Sequence, residues 1–320
     1  MKIKIFISII IAICGELFSQ QTPSNDEKFP FLTTFSKKAS KSWGDDDFSQ
    51  TIFFVIPETN KDPFYIRVFD PDIGGLNDEL KEIFNSKTKF SIYGGKGAHS
   101  NKDSQGIDPV GDYKSGTLII TKAFGEDKTY DNEWYTFGPF NPSEGEFQPD
   151  VGGYVFKLII DGMDGDDGNL YKLFLSKSNT VNIPIEGGNS LYYEYSVRLS
   201  DVNGYISHVY PFLPTNLDTV KIKIFDYDDE GIVRTVTVAK KNSISNSKTK
   251  GTWSTTGLKI VKEEYKTSMD IQFIKKKAVQ NNNMVICLLN KFNEAIPFFS
   301  VPIGGVPRYK YKINIKEKSK

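Results

Sequence analysis

The sequence predicts an all-β protein made of two related β-sandwich domains in tandem, and three observations predict it. Short segments rich in β-branched and aromatic residues recur along the chain, at 51–56, 64–69, 117–121, 154–160, 191–199, 220–225 and 309–315. Within them apolar and polar residues often alternate, the period of a strand with one buried face, and clusters of Gly, Asp, Asn and Pro separate them. The third observation is a repeat. No long amphipathic helix pattern accompanies these segments, a turn or two at 77–84 being the nearest candidate, so sandwiches or barrels are the expected architecture.

Four landmarks recur in the same order in the two halves. IRVFDPD at 66–72 matches IKIFDYD at 222–228, and WYTFG at 134–138 matches WSTTG at 253–257. NLYKLFL at 169–175 matches NMVICLL at 283–289. Finally IPIEGG at 183–188, followed by YEYSVRL at 193–199, matches VPIGG at 301–305, followed by YKYKINI at 309–315. The expected division is a signal peptide at 1–20, a polar leader at 21–45, a first β-sandwich at 46–200 and a second at 201–320. The first copy is longer, with a Gly-, Asp-, Ser- and Lys-rich insertion between Gly94 and Gly116 that should form an exposed loop, the kind of element on which binding usually sits. The repeated Trp134 and Trp253 are expected in the core, as are most of the tyrosines of the terminal strands.

Lys2 and Lys4 followed by an apolar stretch from Ile5 to Ile13 read as an export signal, too short to cross a bilayer. The mature chain is therefore expected in the periplasm or at the cell surface, with no transmembrane segment. Lys plus Arg equals Asp plus Glu at 40 each, which gives no electrostatic case for nucleic acid or an anionic membrane. Cys287, alone after signal removal, lies in an apolar run and is expected to be a buried, inert thiol.

The strongest chemical signal is FDPDIGGLNDE at 69–79, where carboxylates two apart end a strand and Gly74 and Gly75 let the chain turn back. A second acidic turn, DGMDGDDGN, fills 161–169. Clustered carboxylates repel unless a cation or water screens them, and calcium accepts six to eight oxygen ligands in irregular placement. Asp70, Asp72, Asp78, Asp161, Asp164 and Asp166 are the candidate calcium ligands, against the competing reading that both segments are solvated turns. In the second half the 226–230 loop stays acidic, but the other turn becomes lysine-rich at 275–277, so no cation is expected there.

The segment from Val68 to Glu79 resembles the Asp-x-Asp loop of a C2 domain or another calcium-binding β-sandwich. That resemblance implies Asp70 and Asp72 as direct ligands; a membrane role does not follow, because no basic strand patch accompanies them. The signal region and the Lys-, Asn- and Ile-rich mature part resemble exported proteins of the Bacteroidota. Enzyme motifs are lacking: His99 and His208 have no metal-ligand spacing, and there is no Gly-x-Ser-x-Gly elbow or phosphate-cradling glycine loop. The expected function is a secreted or periplasmic, non-catalytic binding or assembly protein contacting envelope or surface proteins, with secretion or gliding machinery as one setting. The alternative is a carbohydrate-binding or polysaccharide-degrading surface protein, whose carboxylate pair would be distant in sequence.

Overall fold

The computed structural model describes residues 20–227, 231–244, 251–277, 279 and 282–308. The expected signal core and the expected last strand at 309–315 lie outside these residues. Sixteen principal strands are numbered here in chain order. The first eight are β1 Phe31–Phe35, β2 Ser49–Pro57, β3 Phe64–Phe69, β4 Thr88–Gly94, β5 Thr117–Phe124, β6 Trp134–Phe140, β7 Gly153–Gly162 and β8 Gly168–Ser176. The second eight are β9 Glu194–Arg198, β10 Ile206–Val209, β11 Thr219–Phe225, β12 Gly231–Val236, β13 Lys241–Ile244, β14 Trp253–Lys259, β15 Asp270–Lys275 and β16 Asn283–Leu289. Among the described residues the only helical elements are 3-10 turns of three or four residues, so the all-β expectation holds.

The strand orders repeat. In the first half one sheet runs β1-β8-β3-β6 and the other β2-β7-β4-β5, and in the second half the orders are β9-β16-β11-β14 and β10-β15-β12-β13. Every pairing between strands n and m in the first half therefore recurs between n+8 and m+8 in the second. All ladders are antiparallel, and each half follows the eight-stranded jelly-roll order, in which successive strands alternate between two sheets except for the fourth and fifth, which are neighbours in one sheet. The register repeats too: Phe69 faces Trp134 as Phe225 faces Trp253. One detail of the sequence alignment shifts. Phe69 faces Lys172 while Phe225 faces Val285, so Asn169 corresponds to Asn282 rather than Asn283. A one-residue slip would turn every side chain of a strand to the other face, and the buried ladder fixes the choice.

Alternation explains the cores. In β3, Phe64, Ile66 and Val68 are fully buried between the sheets, and in β11 Val220, Ile222 and Ile224 do the same, while Lys221 and Lys223 point outward. Each large apolar side chain buried this way contributes about 1.5–3 kcal/mol. The two rolls are not separated by a linker. β9 pairs with β16 on one side and with β1 on the other, Val197 facing Leu32, so a single sheet runs through both halves and one apolar cluster crosses the junction.

Residues 21–45, expected to precede the first domain as a leader, contribute β1 to the middle of that sheet. Their polarity misled: Thr33 and Thr34 are β-branched and fully buried, and Thr34 Oγ1 lies 2.8 Å from the Tyr171 hydroxyl. The repeated tryptophans also depart from expectation. Trp134 and Trp253 are half-buried on the outer faces, each tilted against its neighbouring Phe at 5.4 and 5.3 Å. A cation covers each ring, Arg67 at 5.0 Å and Lys223 at 4.4 Å. Tyr192, Tyr193 and Tyr195 are buried as expected, as is Cys287.

Candidate functional site

The six acidic candidates fall into separate places. Asp70 ends β3 in a left-handed conformation at φ 58° and accepts hydrogen bonds from the Asn132 backbone N–H at 2.8 Å and the Asn77 amide at 2.5 Å. Asp72 accepts from Tyr130 N–H at 2.8 Å, and Asp78 from Gly74 N–H at 2.8 Å and Leu170 N–H at 2.7 Å. Burial pushes all three carboxyls up, Asp72 to about 6, and the nearby charge of Asp131 adds to each. Gly75 lies close to Asp131: a Cβ there would sit 3.2 Å from its Oδ2 while φ is +69°, which makes glycine the fitting residue.

Asp161 stands apart on β7, within 3.4 Å of the Lys89 ammonium and 3.3 Å of the Lys114 ammonium. Asp166 is 3.5 Å from Lys81, and Asp164 is exposed. The neighbour sequence reasoning passed over is Asp167, fully buried, which accepts from Lys81 N–H, Asn85 N–H and the Ser86 hydroxyl at 2.8–3.0 Å and so shapes the 79–86 loop. Among the described residues no three His, Cys, Asp or Glu side chains converge as a metal-binding group.

The repeat supplies a structural role for Asp70. Its counterpart Asp226 is also left-handed, at φ 56°, and accepts from Gly251 N–H at 3.0 Å. Asn132 and Gly251 each stand two residues before the repeated tryptophan, so both aspartates anchor the same loop.

A different group of carboxylates gathers where the two rolls meet. The 94–116 insertion is the β4–β5 connection, and it folds back as a roof. Lys157 of β7, fully buried, donates to Ser104 Oγ at 2.8 Å and to the carbonyls of Tyr113 and Ser115 at 2.5 and 2.7 Å. Burial pushes its pKa down to about 8. At the other end of the loop Glu146 accepts from the N–H groups of Gly97, His99 and Ser100 at 2.6–2.9 Å. Burial pushes the Glu146 carboxyl up, but these donors and the Ser100 hydroxyl outweigh it and hold it below the usual range.

Beneath the roof lies a recess lined by Asp47, Ser49, Thr51, Phe53, Tyr193 and Glu194 from below and by residues of 103–113 from above. It has about 20 Å³ of space for a water-sized centre, room for roughly one small group. Gly106 and Ile107 also line an adjoining cleft of about 430 Å³, whose far wall is formed by Pro214, Leu217 and residues of 289–297 from the second roll. The Tyr193 hydroxyl is 3.0 Å from His99 Nε2, and burial pushes His99 down to about 4, so its ring is neutral.

The electrostatics of the recess are one-sided. Asp45 is buried and accepts from Phe48 N–H at 2.8 Å and Phe35 N–H at 3.1 Å, and burial pushes it to about 6. Asp46 accepts from Trp253 Nε1 at 2.6 Å, tying this turn to the second roll. Asp47 is pushed well up by burial and by Asp45. Glu194 is pushed well up by burial and then by the charges of Asp47, Asp46, Asp45 and Asp108. No basic residue lines the recess, and among the described residues the Glu194 carboxylate has no hydrogen-bond or ion-pair partner. Sequence reasoning missed this group because Asp45 closed the presumed leader, Asp46 and Asp47 opened the first domain outside any motif, and Glu194 is about 150 residues away; only the β1–β9 pairing brings them together.

No family model and no curated protein matches this chain. Among solved structures the chain aligns with a protein described as "Recombinant peptide: N-glycanase F (PNGase F)" at 11% identity, over 84% of this chain and 94% of that one, with a TM-score of 0.18. A likeness that low carries no argument about fold or activity.

Proposed function

We propose that this protein is an exported, non-catalytic binding protein of the cell envelope. Its ligand carries an amine that enters the recess under the 94–116 roof while its body fills the adjoining cleft. The observation that carries this reading is the pairing of an unpartnered Glu194 with Asp47 in a recess that lacks any basic side chain. A water-sized ammonium matches the space, and it would favour the charged carboxylates that burial disfavours. Candidate ligands are amine-bearing sugars of surface glycans and lysine side chains of envelope proteins.

The discriminating probe is glucosamine against glucose, which differ at one group. Glucosamine should raise the melting temperature and glucose should not, and the gain should shrink as pH falls through the carboxylate range. Glu194→Gln should abolish it. Equal responses to both sugars, or an unchanged response in the variant, would overturn the reading.

A second reading is favoured by the Asp47 and Glu194 carboxyls, which burial and neighbouring carboxylate charge push upward so that they hold a proton more readily than ordinary carboxylates: a glycan hydrolase. Turnover of a chromogenic glycoside or glycopeptide, lost in Glu194→Gln, would favour it over binding alone.

Calcium stiffening of the first roll belongs to the same proposal, with Asp70, Asp72 and Asp78 joined by Asp131 in place of Asp161, Asp164 and Asp166. Calcium should then raise the melting temperature, and Asp70→Asn with Asp72→Asn should remove that increment. Asp226→Asn, which alters the equivalent loop anchor, should destabilise equally in calcium and in chelator. No calcium increment in the unaltered protein rules the metal role out.

A further inference from the structure

A pocket of about 320 Å³ lies where residues 21–30 meet β8 and the entry to β10. Thr22 pairs with Leu173 of β8, and the Glu27 and Lys28 carbonyls accept from the His208 N–H and the Ser207 hydroxyl of β10 at 2.8 and 3.1 Å, so this segment is fixed to both rolls. The lining is one-sided in charge. Phe29, Pro23 and Pro30 give it apolar surface, Gln21 and Asn25 bring amides, and Lys28 and Lys172 bring positive charge. Among the described residues that line it none is acidic.

Lys172 is the member that lacks a partner. It is half-buried on β8, and among the described residues its ammonium makes no ion pair or hydrogen bond. It lies instead over two rings, 4.7 Å from the centre of Phe31 and 5.5 Å from that of Phe69. The charge of Asp70 attracts it, but that carboxylate stands beyond ion-pair distance and is held by Asn132 and Asn77. Burial outweighs this attraction and lowers the Lys172 pKa, so an anion entering the pocket would supply what the ammonium lacks. The pocket is larger than one phosphate or sulfate fills, and neither lysine offers the planar fork that grips phosphate at two points. Amides and an aromatic wall beside a charge suit the hydroxyls, the ring and the acid of one sugar unit.

We propose that this pocket binds a hexuronate unit of an acidic glycan, with its carboxylate on Lys172 and Lys28 and its ring against Phe29. None of these residues lines the amine recess or its cleft, so the two sites are independent.

Melting curves of the full chain in sodium glucuronate, glucose and inorganic phosphate at equal ionic strength test the proposal. Glucuronate should raise the melting temperature, and glucose and phosphate should not. The gain should shrink as sodium chloride is raised. Lys172→Met, which removes a charge that has no ion pair, should melt like the parent without ligand and need at least tenfold more glucuronate for the same gain. Lys28→Gln, at an exposed position, should shift the same curve by less. Glu194→Gln should leave the glucuronate response intact. No gain in glucuronate, an equal gain in phosphate, a response unchanged in either lysine variant, or one lost in Glu194→Gln overturns the proposal.

Discussion

Lys157→Met should lower stability by about 2 kcal/mol and open the 94–116 loop to proteolysis. The ammonium is the hub of the roof, donating to a hydroxyl and two carbonyls of the 94–116 loop, and hydrogen bonds from a charged donor are worth roughly 1.5–3 kcal/mol each. Methionine fills similar space but leaves the Tyr113 and Ser115 carbonyls unpaired. The loss is less than the sum of the bonds because burial of the charge already opposes them, as the lowered pKa of about 8 reflects. Urea unfolding should show a lower midpoint at unchanged slope, and limited proteolysis should cut first within 94–116. A variant as stable and as protease-resistant as the parent would mean that other contacts hold the roof. The pairing of Glu146 with the loop's opposite end predicts that the rolls themselves stay folded.

Replacing Glu27 by Gln should flatten the pH dependence of stability between about pH 4.5 and 7. Glu27 is fully buried at the junction of the two rolls. It accepts from the Tyr192 and Tyr195 hydroxyls at 2.5 and 3.0 Å and from Ser24 N–H at 2.7 Å, while its carbonyl accepts from His208 N–H at 2.8 Å. The two tyrosine rings are stacked at 3.8 Å. Burial is the main cause that raises its pKa to about 7, and the hydrogen bonds only moderate it. Between the unfolded value and about 7 the folded chain holds a proton that the unfolded chain has released. Stability from this group is therefore present below about pH 4.5 and is lost as pH rises to about 7, a change of about 3 kcal/mol. The tyrosines facing it are pushed upward and do not titrate in this window. Asp45 and Asp72, both near 6, slope the same way, so the difference between parent and variant isolates Glu27. Identical pH profiles for the two proteins would show that Glu27 stays ionised in the fold.

The repeat was legible because it lives in alternation and in bulky landmarks, Phe69 with Trp134 and Phe225 with Trp253. Those features report which residues share a strand face, so three of the four landmarks map onto the same ladders. The fourth does not: its first copy at 193–199, expected to close the first sandwich at 46–200, forms β9 and opens the second roll, and its second copy at 309–315 lies outside the described residues. The place of β1 was not legible. A segment containing Thr33 and Thr34 looks polar by composition, and only the partner strands show that both hydroxyl residues are buried.

The acidic loops were legible as carboxylate-rich turns, but composition could not tell a ligand from an anchor. Asp70 and Asp226 doing the same job in both rolls is a distinction that needs coordinates. The recess was invisible for a simpler reason. Asp47 and Glu194 belong to different rolls' strand junctions, and their meeting is a consequence of one sheet passing through both.

That shared sheet is the claim on which the rest depends, and amide hydrogen exchange along residues 189–205 tests it most directly. Strand β9 should exchange slowly, because it pairs with β16 along its whole length and with β1 at Val197 and Arg198, with fast exchange only in the turn at 201–204. Fast exchange throughout 194–198, as in a linker between independent domains, would contradict it.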